Sequence, residues 1–198
     1  MNRKDPQPHE HEGMRLPLLV GYAESYVKMT KDRAIFLSEG VTNKVGAELS
    51  ALMLYYDSQD HDTEINLYIH TNGGSSTGMA NIYDVMQMVH APIKTILLGK
   101  AYSAGAWILA TGTKGMRYAL RSSKVMIHGT QFIFPIPGFD FTNSKNYLEF
   151  VDAENDAMLR IMAKHTGQTF DKVKSDCQTE KWMDAKSAQQ YGLIDHII

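Results

Sequence analysis

Ile93-Lys94-Thr95-Ile96-Leu97-Leu98 runs through Gly99-Lys100-Ala101-Tyr102 into Ser103-Ala104-Gly105-Ala106-Trp107-Ile108-Leu109-Ala110-Thr111. The first six residues have the length and apolarity of a buried strand. Gly99 to Tyr102 reads as a tight connection, and Ala104 to Thr111 as a helix. Ser103 stands at the joint. Backbone N–H groups at a helix start lack intrahelical partners. They are therefore available to a developing oxyanion. Small flanking residues permit a sharp turn and a close substrate approach. The pattern partly resembles a nucleophile elbow, with Ala101 where the first glycine would stand. A serine at this position is also commonly a simple helix cap, so the motif alone leaves both readings open.

Working outward, the same rhythm of strand, turn and helix repeats. Ala34-Ile35-Phe36-Leu37 has strand length, and Thr42 is placed to cap a helix over Val45 to Tyr56. Glu64 to His70 alternates as a strand should, Asn72-Gly73-Gly74 breaks it, and Ser76 to Val89 reads as a helix stopped by Pro92. Short strands are expected over Met116 to Leu120 and Lys124 to Ile127. A long helix follows over Thr142 to His165, then helices over Phe170 to Cys177 and Ala185 to Tyr191, and a closing strand over Leu193 to Ile198. Repeated strand–helix units imply an α/β fold with parallel pairing and helices packed on the sheet. The stretch Gln131 to Phe141 departs from this rhythm. It holds Phe132, Phe134, Pro135, Pro137, Gly138 and Phe139, too apolar for a solvated loop and too rich in proline for a central strand.

Composition narrows the function classes. The chain has 198 residues with a formal net charge of -2, which suits one domain and gives no basic surface for nucleic acid. Cys177 is the single cysteine, so no internal disulfide framework is possible, and a reducing, cytoplasmic setting is expected. No apolar run approaches membrane-spanning length, and no signal peptide is evident. Residues 1–15 read as a flexible tail and 16–198 as a single domain. His9-Glu10-His11 in that tail reads as solvated, and no metal site is expected. Met79, Met86 and Met88 read as adaptable core or subunit interface.

Two further features carry chemistry. Adjacent glycines Gly73 and Gly74 at a strand end can turn an N–H toward a ligand. No Lys-Ser/Thr follows them, so they are not a phosphate-binding nucleotide loop. His128 ends the strand Lys124 to Ile127, where an imidazole can project into a cleft as a general base.

Taken in order, these stretches resemble the proteolytic subunit of the Clp protease. The resemblance runs from about Arg33 to Ile198. It is carried by Leu67-Tyr68-Ile69-His70-Thr71-Asn72-Gly73-Gly74, Gly78-Met79-Ala80-Asn81-Ile82-Tyr83-Asp84 and Gly99 through Ala106. Val125-Met126-Ile127-His128, His165-Thr166-Gly167-Gln168 and Tyr191-Gly192-Leu193-Ile194-Asp195 complete it. The spacing from Ser103 to His128 matches that family as well. The resemblance implies a Clp protease/crotonase-like spiral of ββα units with a protruding strand-helix handle, about residues 129–165 here. It implies a serine endopeptidase with Ser103 as nucleophile, His128 as general base, and the N–H groups of Gly74 and Ala104 as oxyanion hole. The family's third member is an Asp. Reading forward from His165-Thr166-Gly167-Gln168 puts Glu180 there, with Asp176 and Asp184 as alternatives. Thr179 stands where the family usually has Arg, and Asn72 where it usually has Pro.

The resemblance also implies an assembly. Heptameric rings would stack as a tetradecamer around a chamber. Polypeptide substrates would be threaded in by a separate hexameric unfoldase, which uses the ATP; this chain is expected to bind no cofactor. Tyr68, Met88 and Leu120 are candidates for the apolar pockets that receive the unfoldase, or are ordinary packing. Two other readings remain at this point. One is a catalytically silent or weak ring subunit. The other is a crotonase-like acyl-CoA enzyme, which would use the oxyanion N–H groups on a thioester.

Overall fold

The computed structural model describes residues 24–130 and 141–198. The expected tail over 1–15, with His9 and His11, and the apolar stretch 131–140 at the start of the handle lie outside the described residues. Residues 24–31 form helix α1. Then come β1 (Ala34–Leu37), α2 (Asn43–Gln59), β2 (Ile65–Thr71), α3 (Ser76–Met88), β3 (Ile93–Tyr102), α4 (Ala104–Ala110), β4 (Arg117–Ala119) and β5 (Lys124–Ile127). The chain closes with α5 (Phe141–Thr166), α6 (Phe170–Asp176), β6 (Lys181–Asp184), α7 (Ala185–Tyr191) and β7 (His196–Ile197).

The local signals act as expected. Thr42 caps α2 by accepting from the Val45 N–H at 3.1 Å, and Ser75 caps α3 through the Gly78 N–H at 3.2 Å. Such caps satisfy N–H groups that a helix start leaves open. Alternation in β2 buries Ile65, Leu67 and Ile69. Helix α2 lays Val45, Leu49, Met53 and Tyr56 on the core, and α3 adds Met79, Ile82 and Met86. Of the three methionines expected in one stripe, Met79 and Met86 are core, while Met88 is surface at 60% exposure.

The main sheet runs β1-β2-β3-β4-β7 and is parallel throughout. The C-terminal part of β3 pairs in parallel with β5, and β5 pairs antiparallel with β6. The fold is therefore α/β with a mixed sheet. Two differences from the sequence reading matter. Strand β3 does not stop at Leu98; it continues to Tyr102, with a register shift against β2 between Ile69 and Thr71. Strand β6 is a short segment, Lys-Trp-Met-Asp, in which only Met183 is buried, so periodicity gives it little signal.

One polar clasp lies within the core. Arg117 is 1% exposed and grips Asp195 with two nitrogens, Nε to Oδ2 at 2.8 Å and Nη2 to Oδ1 at 2.6 Å. Its Nη1 donates to the carbonyls of Ala110 and His165, both at 3.0 Å. A buried guanidinium needs all of its N–H groups engaged, and this one joins α4, β4, α5 and the C-terminal segment.

Candidate active site

Parallel strands β2 and β3 end side by side, and their ends carry the candidate residues. Ser103 follows β3 with φ 53° and ψ -127°. A non-glycine residue held there costs on the order of 1–3 kcal/mol and persists only where the surroundings impose it. The Ser103 N–H donates to the Met126 carbonyl at 2.8 Å, which ties the elbow to β5. Although Ser103 occupies the cap position of α4, its side chain makes no cap hydrogen bond. The cap alternative raised by the sequence is thereby removed.

The glycines of β2's end press against this elbow. Gly73 has φ +88°, and a Cβ on it would stand 2.7 Å from Ser103 Cβ and 2.9 Å from the Ala104 nitrogen. Gly74 has φ +149°, and a Cβ on it would collide with the Val41 carbonyl. Only glycine satisfies both conditions. The neighbouring N–H groups are engaged: that of Gly73 on Thr71 Oγ1 at 3.0 Å and that of Ser75 on Val41 O at 2.7 Å. The N–H groups of Gly74 and Ala104 have no acceptor among the described residues, as an oxyanion hole requires.

The sheet brings the other two candidates alongside. Tyr102 pairs with Met126, so His128, two residues on, stands next to Ser103. In the antiparallel β5–β6 ladder Ile127 faces Lys181. One step beyond the last pair, the two chains reach His128 on one side and Glu180 on the other, and both line the same cleft. Strand β6, which the sequence reading did not anticipate, is what aims this carboxylate. Ser103, His128, Glu180, Gly74 and Ala104 all line one cleft of about 620 Å³, whose apolar wall is Met79, Trp107, Met126 and Met158.

The three side chains share the cleft but are not hydrogen-bonded to one another. His128 Nδ1 is bonded to the Gly129 carbonyl. A carbonyl only accepts, so Nδ1 carries a hydrogen; in the neutral imidazole the lone pair that a general base needs is then on Nε2. Glu180 is exposed, and its Oε2 accepts from Trp182 Nε1 at 3.1 Å. Of the alternative acids, Asp176 is held by Lys172 at 2.7 Å and Lys181 at 3.0 Å. Burial pushes its carboxyl up, and the lysines outweigh this and hold it below the usual range. Asp184 caps α7 through the Ser187 N–H at 2.8 Å. Both are committed elsewhere.

Three contributors were not found in the sequence. Asn155 on α5 lines the cleft, and its Oδ1 accepts the Thr130 N–H at 2.9 Å, steadying the chain just after His128. The Gly129 carbonyl and the Trp182 indole fix the imidazole and the carboxylate. Asn155 reaches the cleft across 25 positions of sequence, while Gly129 and Trp182 act on neighbours one and two residues away through contacts that no sequence pattern marks. The single cysteine is no rival nucleophile. Cys177 is buried, and burial, with the Asp176 charge added, pushes its thiol up to about 12.

Tyr68, Met88 and Leu120 lie away from the cleft. Tyr68 on β2 is half-buried and stacks on Phe36 at 4.9 Å. Leu120 is 38% exposed just past β4. Register places Phe36, Tyr68, Ile96, Tyr118 and His196 in one row across the sheet. Met88 is not part of that row; it stands at the C-terminal end of α3. No helix among the described residues is long and apolar enough to cross a membrane.

A family model described as Clp protease matches residues 21–198. With the match spanning nearly all of the chain, including the elbow, the glycine pair and the β5–β6 ladder, this protein belongs to the Clp protease family of peptidases.

Proposed function

We propose that the chain is a serine endopeptidase of a Clp-type compartmental protease, with Ser103 as nucleophile and His128 as general base. The observation that carries this reading is the elbow. Ser103 is held at positive φ, free of any capping role, in the same cleft as His128. Ser103 Oγ attacks the scissile carbonyl while Nε2 of His128 takes its proton, and the imidazolium later returns the proton to the leaving amine. The N–H groups of Gly74 and Ala104 receive the oxyanion. Glu180, in the same cleft as His128 and just beyond the end of the β5–β6 ladder, stabilises the imidazolium once it leaves the Trp182 indole. The apolar wall of Trp107, Met126 and Met158 suits an apolar substrate side chain beside the scissile bond.

The assembly follows from the family: heptameric rings stacked in pairs, in the cytoplasm, fed with unfolded polypeptide by a hexameric ATP-driven unfoldase. The aromatic row over Phe36, Tyr68 and Tyr118, with Leu120 at its end, suits the docking of that partner's apolar loops. Met88 is a separate exposed contact. No cofactor enters the catalytic step.

One observation favours a second reading, a silent or weakly active ring subunit: His128 and Glu180 are each bonded to another group. A fluorophosphonate probe applied to the purified oligomer separates the two. The peptidase reading expects covalent modification at Ser103 that is lost in Ser103→Ala. An unmodified Ser103 in the native particle would leave the silent-subunit reading standing. Native mass measurement of the same particle checks the ring.

A further inference from the structure

At the opposite end of the sheet from the cleft, three metal-ligating side chains converge, two from the end of α2 and one from the turn before β3. Asp57 lies near the C-terminal end of α2, His61 just beyond that helix, and His90 in the turn between α3 and β3. Asp57 Oδ1 is 3.2 Å from His61 Nδ1, and its Oδ2 is 3.7 Å from His90 Nδ1. One ligand atom from each residue lies within 4.8 Å of the others. Donors bound tetrahedrally at about 2.0–2.2 Å stand roughly 3.3–3.5 Å apart, so small rotations of the two rings bring the three donors to that spacing. The imidazoles are 62% and 78% exposed and meet edge-on at 5.1 Å, outside the packed core.

The carboxylate, by contrast, is fixed in advance. Asp57 is buried, and its Oδ1 accepts the N–H groups of His90 at 2.9 Å and Ala91 at 2.8 Å. Those bonds leave Oδ2 to face a ligand. Outer hydrogen bonds of this type orient a metal-binding carboxylate. The neighbouring Asp60 is already occupied by Thr63 and the Asp62 N–H, so it does not compete for the two rings.

We propose that Asp57, His61 and His90 bind a divalent first-row transition-metal ion, with Zn2+ the best fit and water completing the shell. Two imidazoles and one carboxylate form the borderline donor set that Zn2+ takes. Mg2+ and Ca2+ would require a mostly oxygen shell that is missing here. The ion ties the end of α2 to the turn that starts β3. It has no part in peptide hydrolysis, because the cleft lies at the C-terminal ends of β2 and β3.

The test uses the full, untagged chain carrying His9→Ala and His11→Ala, so that the tail cannot contribute imidazoles. After chelator treatment it is titrated with Zn2+ by calorimetry and with Co2+ by visible absorption. The expected result is one ion per chain, an intense tetrahedral Co2+ spectrum, and a Zn2+-dependent rise in melting temperature. His61→Ala and His90→Ala should each weaken binding by about tenfold or more. Both side chains are exposed and the backbone N–H of residue 90 is retained, so these variants keep the fold. Asp57→Asn is less useful, since it alters the acceptor for two backbone groups. Ser103→Ala should bind Zn2+ normally, which separates this site from the peptidase reading. Equal Zn2+ affinity in the His61→Ala/His90→Ala double variant, or a hydrated octahedral Co2+ spectrum, would overturn the proposal.

Discussion

Trp182 Nε1 donates to Glu180 Oε2 at 3.1 Å, and the same indole stands edge-on to Tyr102 at 4.9 Å, one residue before the elbow serine. Glu180, just before β6, is thus held by a neighbour two positions further along the chain. His128 meanwhile rests on the Gly129 carbonyl. The two groups share one cleft and are apart in bonding. The proposed mechanism calls for one exchange: Glu180 leaves the indole and takes the imidazole N–H from Gly129.

Trp182→Phe tests that exchange. Phenylalanine keeps a ring against Tyr102 and removes the indole donor to Glu180. A hydrogen bond to a charged group is worth about 1.5–3 kcal/mol, and less at an exposed position. Peptide hydrolysis by the variant is therefore expected to rise, by up to about tenfold in kcat, with KM little changed. A fall in kcat with an intact fold would mean that the indole positions Glu180 productively.

Glu180→Ala and Glu180→Gln ask whether the carboxylate matters at all. Glu180 is exposed, so neither change threatens the core. Both should lower kcat by about two or more orders of magnitude, because a neutral partner does not stabilise the imidazolium. Hydrolysis at the wild-type rate would show that the Gly129 carbonyl alone orients His128.

The elbow, the glycine pair and His128 were legible in the sequence because each sits at the end of a strand with a strong apolar pattern. Leu67 and Ile69 precede Gly73, Ile96 and Leu97 precede Ser103, and Val125 and Ile127 precede His128. Glu180 was legible only through the family resemblance. Its placement depends on β6, whose single buried residue, Met183, leaves no periodicity to read. The extension of β3 to Tyr102 was hidden for a different reason. Gly99 at φ +86° looks like a turn locally, yet the chain resumes pairing through Ala101 with Thr71 and Val125. In the cluster of Asp57, His61 and His90 the first two stand four residues apart in the sequence, but His90 joins them only through the fold.

Asn155→Ala probes the support behind His128. Its Oδ1 is the acceptor for the Thr130 N–H, and the side chain borders the cleft. Losing a partner for a half-buried N–H costs about 1–3 kcal/mol. The expected outcome is a small drop in melting temperature together with a fall in kcat of about tenfold, while KM holds. Asn155→Asp keeps an acceptor and should restore most of the rate. A variant pair with equal loss would point to packing instead of the hydrogen bond.

The Arg117–Asp195 clasp predicts an acid limb of stability. Burial alone would raise the Asp195 carboxyl; the Arg117 guanidinium and the N–H groups of Arg117 and Gly115 outweigh it and hold it below its ordinary value. The folded chain therefore binds the proton less readily than the unfolded chain. The stability this contributes is fully present above the unfolded value of about 3.9 and is lost as pH falls through the lower folded value. Asp195→Ala strands a guanidinium that is 1% exposed, at a cost of about 3–5 kcal/mol. Replacing both partners, as Arg117→Met with Asp195→Leu, removes the stranded charge and should recover much of that loss. It should also flatten the limb below about pH 4. Urea unfolding of the three proteins at pH 7 and pH 3.5 reads both effects. If the double variant is no more stable than Asp195→Ala at pH 7, the clasp matters through the carbonyls of Ala110 and His165 that Arg117 also holds, and not through its charge pair.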